Sequence, residues 1–215
     1  MRLGQGLARW SHSLRQQTYD WYHNVETWPP IAADKLQVDS ESRKHGLHYD
    51  PESPSRFRRI MRSMPVRLDQ FTFVDLGCGK ARAILLASMY PFRKIIGVEY
   101  SAQLAAIAEQ NLTTYRPQNE QKCSDLSVLC MDAAQYKLPA GPLVVYMYNP
   151  FKAEVMGRVL NEMKRAFEAD VPELYVAYSV PTLNHLLKQS DFLVPVEETP
   201  TFCTFKAQHR SGSQN

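Results

Sequence analysis

The sequence lacks most of the features that assign a chain to a specialised class. Its four cysteines, Cys78, Cys123, Cys130 and Cys203, show no Cys-x-x-Cys spacing and no partnering histidines. That argues against a zinc site or a disulfide framework, and the thiols read as reduced and mostly buried in a cytoplasmic protein. The six histidines have no ligand spacing, so no metal is expected. No apolar run approaches the roughly 18 residues that a membrane span needs. The formal net charge of +3 is too small to imply a nucleic-acid partner by itself. There is no low-complexity tract and no apolar core of the signal-peptide kind. What is present is a globular composition, 44% hydrophobic over 215 residues, enough for one domain with a core of its own.

The chain is organised around residues 71–82, FTFVDLGCGKAR. Residues 71–74 read as a buried strand, and residues 80–90 as a helix with Ala81, Ile84, Leu85 and Met89 at helical spacing. Between them stand Asp75, Gly77, Cys78 and Gly79. A strand, a glycine turn and a helix bring backbone N–H groups close to a ligand. A dinucleotide site wants G-x-G-x-x-G, but the position three after Gly79 is Arg82. The pattern that remains is Asp75-x-Gly77-x-Gly79-x-Ala81. It resembles motif I of the class I S-adenosylmethionine (SAM)-dependent methyltransferases, D/E-x-G-x-G-x-G, with Ala81 for the third glycine. Residues 95–99 form a second buried run ending in Glu99, 22 residues after Gly77. An acid about 20 residues on, at the end of the second strand, is placed to accept hydrogen bonds from a ribose.

The order of later elements agrees with that resemblance. Ser101 caps a helix over 102–112. Residues 126–131 make a third strand followed by Asp132, and residues 143–148, LVVYMY, a fourth followed by Asn149-Pro150-Phe151. A helix over 152–169, a strand over 173–180 and a short helix over 181–189 lead to two final runs, 192–196 and 201–207. The resemblance implies an α/β fold, a three-layer sandwich around a seven-stranded, mostly parallel sheet whose last strand inserts antiparallel. It implies S-adenosyl-L-methionine as cofactor, with Asp75, Gly77, Cys78 and Gly79 at its methionine end, Glu99 and Tyr100 at the ribose, and Asp132 at the adenine beside Met131 and Ala133. Asn149-Pro150-Phe151 resembles motif IV of amino-group methyltransferases, N/D-P-P-Y/F, with one proline missing. It implies Tyr148 and Asn149 as catalytic positions, Asn149 also near the cofactor, and Phe151 against the acceptor.

Residues 1–67 read as a helical extension, or lid, on a core of 68–208, with a disordered tail over 209–215. Residues 3–22 suit an amphipathic helix carrying Leu7, Trp10, Leu14 and Trp21. The first 19 residues hold Arg2, Arg9 and Arg15 and no acid, a weak likeness to a transit peptide; an exposed helix is the favoured reading. Ser53-Pro54 fits the cap and first position of a helix with Phe57, Ile60 and Met61 inward. Arg56, Arg58, Arg59, Arg62 and Arg67 suit a solvated face or an anionic substrate surface. The segment Tyr49-x-Pro51-x-x-Pro54 looks like the pre-motif segment of seven-strand lysine methyltransferases of the nucleosomal-histone and ATP-synthase c-subunit type, which implies Tyr49 as a pocket wall.

The reading that results is methyl transfer from SAM to an amino group, with a protein lysine as leading acceptor. Three others stay open: an RNA, DNA or small-molecule methyltransferase, a non-catalytic SAM-binding partner protein, and a dinucleotide oxidoreductase. A protein or small-molecule acceptor is the expected partner. The sequence names no assured base; Tyr148, Tyr49 or solvent are the options.

Overall fold

The structure, a computed structural model, describes residues 2–32, 49–64, 66–118 and 121–209, and in the first helix only the side chains from residue 13 on. Leu7 and Trp10 of the expected amphipathic face, residues 34–43 and residues 210–215 lie outside the described side chains or residues.

Seven strands form one sheet: β1 (Thr72–Leu76), β2 (Lys94–Glu99), β3 (Leu126–Cys130), β4 (Leu143–Tyr148), β5 (Leu174–Ser179), β6 (Leu193–Glu198) and β7 (Phe202–Ala207). Their order is β3-β2-β1-β4-β5-β7-β6. β1 to β5 pair in parallel, and β7 enters antiparallel between β5 and β6. β1, β4 and β5 are buried along their whole length or nearly so, which is why they read as unbroken apolar runs rather than alternating ones. β6 is an exposed edge, and Pro195 with the adjacent irregularity in register blunts it against further pairing.

Among the described residues there are six α-helices: α1 (Arg2–His23), α2 (Pro54–Ser63), α3 (Arg82–Ala87), α4 (Ala102–Thr114), α5 (Ala153–Ala169) and α6 (Asn184–Gln189). On one face Phe57 and Ile60 of α2, Ile84 of α3 and Ala108 of α4 close over Phe73, Ile95 and Tyr146. On the other, Val155, Met163 and Phe167 of α5 and Leu187 of α6 close over Val74, Val98 and Val145. The alternation of Leu143, Val145 and Met147 against Val144 and Tyr146 in β4 feeds the two layers separately.

Two helix starts and one cap differ from expectation for local reasons. α3 starts at Arg82 rather than residue 80, because Ala81 sits in the left-handed region at φ 70°. α6 starts at Asn184 rather than residue 181, after a turn in which Val180 has φ 50°. Ser53 stands at the head of α2 with an extended backbone but its side chain makes no cap; its hydroxyl meets Ser55 Oγ at 2.9 Å instead. His209, expected as the first residue of a loose tail, stacks on Phe167 with ring centroids 4.4 Å apart.

The N-terminal extension is fixed to the core through Arg82, a residue that is 1% exposed. Its Nε donates to Thr27 Oγ1 at 2.6 Å, Nη1 to Gln16 Oε1 at 2.8 Å and Nη2 to Asp20 Oδ1 at 3.0 Å. The guanidinium also lies 3.7 Å from the Tyr19 ring centroid, within cation–π range. Asn111 of α4 completes the join: Oδ1 accepts from Glu26 N at 2.7 Å and Nδ2 donates to Lys80 O at 2.9 Å.

Candidate functional site

The strand order reverses beside β1, whose neighbours are β2 and β4. In open α/β sheets ligands bind outside the carboxyl ends of the strands at such a switch. The cleft found there holds about 590 Å³ of empty space including its open mouth. Asp75, Gly77, Cys78, Gly79, Glu99 and Tyr100 line one end, and Asp50, Glu52, Tyr146, Tyr148, Pro150 and Phe151 the other, with Tyr49 between.

The first end is built by the turn after β1. Gly77 and Gly79 have φ of 82° and 55°, conformations that suit glycine. Close approach also demands glycine: a Cβ on Gly77 would stand 2.5 Å from Pro150 Cβ, and one on Gly79 2.2 Å from Tyr49 Cδ2. Ala81 shares the left-handed conformation, so its departure from the motif is a matter of backbone and not only of size. The N–H groups of Gly77 and Cys78 donate to Val98 O at 2.8 and 3.1 Å, which pins the turn to β2.

Glu99 ends β2 with its carboxylate turned back to that turn. Oε2 accepts from Gly79 N and Oε1 from Ser101 N, each at 2.9 Å. Burial pushes the carboxyl up to about 7, even though backbone N–H groups of Ser101, Gly79 and Tyr100 oppose the rise. Asp75 is 1% exposed. Burial first, then the nearby Glu99 and Glu52 carboxyls, holds it well above the usual carboxylate range. Among the described residues its Oδ1 has no hydrogen-bond partner. Cys78 is buried and its thiol is likewise pushed well up by burial.

At the other end Glu52 ties the pre-motif segment to the sheet. It is 2% exposed and accepts from Ser53 N at 2.5 Å, Arg56 Nε at 2.7 Å, Ser179 Oγ at 2.6 Å and the Tyr146 hydroxyl. Tyr148 donates to Asp50 Oδ2 at 2.9 Å while the Arg56 guanidinium covers its ring at 4.7 Å. Burial raises the Tyr148 phenol above its ordinary value. Phe151 is buried beside it.

The sequence-named residues thus gather unevenly. Asp75, Gly77, Cys78, Gly79, Glu99, Tyr100, Tyr49, Tyr148 and Phe151 line one cleft. Asn149 and Asp132 are not among its lining residues. Asn149 has φ 40°, and its Oδ1 accepts from the Tyr178 hydroxyl at 2.9 Å and Thr182 Oγ1 at 2.5 Å; in this arrangement the oxygen expected to meet an acceptor is occupied. Asp132 is buried past the end of β3 with Oδ1 accepting from Ala134 N at 2.8 Å. Tyr49 lines the cleft, and its hydroxyl donates to Thr27 O at 2.8 Å.

Four residues escaped the sequence reading. Asp50 and Tyr146 carry no local signal, and Glu52 shows only Arg56 four residues on; the partners that matter at the cleft lie far along the chain. Arg82 had one: it is the single charge in the run from Ala81 to Ala87, and a lone charge in an apolar helix needs a buried partner.

No protein-family model matches the chain. No curated protein matches it either. Solved structures do. A 23S rRNA methyltransferase, ErmE, is 10% identical with a TM-score of 0.52, covering 75% of this chain and 70% of its own. A precorrin-6y C5,15-methyltransferase from Geobacter metallireducens GS-15 is 12% identical with a TM-score of 0.51, covering 81% and 94%. A dimethyladenosine transferase from Plasmodium falciparum is 10% identical with a TM-score of 0.50, covering 73% and 61%. At identities this low the superpositions show the fold alone: the chain has the seven-stranded fold of the class I methyltransferases.

Proposed function

We propose that this chain is a SAM-dependent methyltransferase whose acceptor is an amine. The observation that carries the proposal is Asp75. A carboxyl this deep, with a partnerless oxygen beside two glycines in left-handed conformations, is costly unless a ligand supplies a donor. The ammonium of the methionine end of SAM is such a donor, and its charge would favour the ionised carboxyl. Glu99 would take the ribose hydroxyls, and Tyr49 would close the cleft over Gly79. Asp132 is the proposed adenine partner one strand farther along. The bound sulfonium would bring an activated methyl group; the protein's part is to bind, orient and exclude water.

The far end of the cleft supports an amine in three ways. Phe151 offers an aromatic face to a cation. Asp50 adds a negative charge at the same place. An ammonium has no lone pair, so it must lose a proton before attack, and Asp50, 2.9 Å from the Tyr148 hydroxyl, offers a carboxylate–phenol route for that proton. A protein lysine is one such amine, and nothing at this end selects it over others. A second acceptor has an observation behind it. α2 exposes Arg58, Arg59 and Arg62 and holds no acid, a face suited to phosphates. Two of the similar folds belong to proteins named for 23S rRNA and dimethyladenosine, so an adenine amine in RNA belongs in the test.

The test is calorimetric titration with SAM, S-adenosylhomocysteine and NAD in parallel, then transfer of labelled methyl to RNA, to lysine peptides and to small amines. Binding of SAM and its product without NAD is expected. Tyr148→Phe and Asp50→Asn should lower turnover and shift its pH profile with SAM affinity unchanged. NAD binding alone would replace the proposal with an oxidoreductase, and SAM binding with no transfer to any acceptor would favour a non-catalytic partner protein.

A further inference from the structure

Helix α2 divides cleanly by face. Phe57, Ile60 and Met61 are buried, whereas Ser55, Arg58, Arg59 and Arg62 are exposed. The exposed four stand at i, i+3, i+4 and i+7, one side of a helix. The helix carries no acid, and among the described residues Arg58, Arg59 and Arg62 have no ion-pair partner. Thr204 points to this side, where its hydroxyl meets Ser63 Oγ. The register sets one exposed acid, Glu197, opposite Thr204, against three arginines.

The same side runs into a groove between α1 and α2, with about 930 Å³ of empty space including its open mouth. Ser53 and Ser55 line one bank, Arg15, Tyr22 and His23 the other, and no acid lines it. Ser53 follows Glu52 directly, so the groove begins where the acceptor end of the cleft stops. Tyr22 is 50% exposed and stands at right angles to the His23 ring.

This makeup selects a partner. A lipid surface needs apolar anchors, and the exposed face of α2 has none. Acidic side chains of a peptide would pair with the arginines and leave the Tyr22 ring unused. A single strand of nucleic acid uses both, its phosphates meeting arginines and hydroxyls and its unpaired bases stacking on an aromatic ring. A duplex keeps its base faces hidden and gains only the charge.

We propose that the arginine face of α2 and the adjoining groove bind a single-stranded nucleic acid. Its phosphates lie on Arg58, Arg59 and Arg62, one base stacks on Tyr22, and the amine of a neighbouring base is presented to the cleft. That last step rests on the methyl-transfer reading above; the binding does not.

The experiment is fluorescence anisotropy of the full chain with short labelled strands of mixed-sequence RNA and DNA, an RNA duplex and polyglutamate, over a range of salt. It compares the native sequence with Arg58→Gln/Arg62→Gln, Tyr22→Ala and Tyr22→Phe. These side chains are exposed and do not line the cleft, so circular dichroism and SAM titration should be unchanged. The native protein should bind single strands more tightly than the duplex; the RNA and DNA strands together tell which sugar the groove takes. Losing two phosphate contacts should flatten the slope of log affinity against log salt by about 1.4, at roughly 0.7 per contact. Tyr22→Ala should weaken binding about tenfold, and Tyr22→Phe should bind as the native protein does. Failure of both single strands to bind at low salt would overturn the proposal, and would leave the methyltransferase reading standing if SAM still binds. Binding that neither the arginine pair nor Tyr22→Ala weakens would overturn it too. Polyglutamate or duplex bound as tightly as the single strands would replace it with a general anion surface.

Discussion

Glu99 makes a sharp test because its burial and its proposed task oppose each other. Its carboxyl is raised from 4.5 to about 7 in the folded chain. The sign follows from linkage. A carboxyl whose folded pKa lies above its unfolded one holds extra protons when folded, so its contribution to stability is present at low pH and lost as pH rises toward about 7. At about 1.4 kcal/mol per tenfold, most of the loss falls between about pH 5 and pH 8 and amounts to about 2–3 kcal/mol. For a chain of this length that is about 5–10 °C in melting temperature. Glu99→Gln cannot ionise. Across this window its stability should stay flatter than that of the native protein by the same amount, whatever constant offset the amide introduces. The assay is urea unfolding at several pH values for native and Glu99→Gln protein, repeated with Asp75→Asn in both because Asp75 is a further buried carboxyl held well above its usual range. SAM should abolish the slope in the native protein, because ribose hydroxyls donating to Glu99 favour its ionised form. Titration near neutral pH in buffers of different ionisation enthalpy should then show proton release on binding. Parallel loss of stability in native and Glu99→Gln proteins would refute the reasoning, since Glu99 would then titrate as an ordinary carboxyl.

Three further outcomes are expected. Gly79→Ala should weaken SAM binding and destabilise the fold, through a left-handed backbone cost of about 1–2 kcal/mol and a collision with Tyr49. Adding Tyr49→Ala should relieve only the collision, read as partial recovery of unfolding midpoint. Arg82→Met should cost about 3–5 kcal/mol because Asp20 is left buried without its cation, and Asp20→Asn in the same chain should recover part of it. If instead α1 alone detaches, limited proteolysis will cut there while the core melts as before. Asn149→Ala should lower stability by about 1–2 kcal/mol, because the Tyr178 and Thr182 hydroxyls lose their acceptor, and turnover then decides whether the segment also serves the acceptor. An equal fall in turnover and SAM affinity would place the segment with the cofactor, and unchanged turnover would remove it from the acceptor site.

The parts of this fold that were legible in sequence are those written locally. β1, β2 and β4 announce themselves as apolar runs, and Asp75, Glu99 and Tyr148 are readable because each falls at or just past a strand end. The glycine turn was readable by residue type, whereas its tight fit was not: the ring that touches Gly79 belongs to Tyr49, 30 residues earlier. Glu52 shows the same limit. It looks like any acid beside a proline, and only the assembled sheet brings Tyr146 and Ser179 to it. Asn149 was found by motif, but where its oxygen points depends on Tyr178 and Thr182, which no pattern around residue 149 could reveal. Ala81 was read by volume when its conformation was the larger fact.

The grip on α1 has a consequence for how the chain is made. Among the described residues the bonds that hold this helix to the core end on residues made much later: Arg82 lies 62 residues beyond Asp20, and Arg116 lies 93 beyond His23. At a synthesis rate of about 5–20 residues per second, the helix waits on the order of ten seconds for its dock. Throughout that interval both its faces are bare, the one that Arg82 will claim and the one that carries Trp21. A nascent chain in that state is a ready substrate for chaperones, and the order of translation, rather than the final energy, decides what α1 meets first.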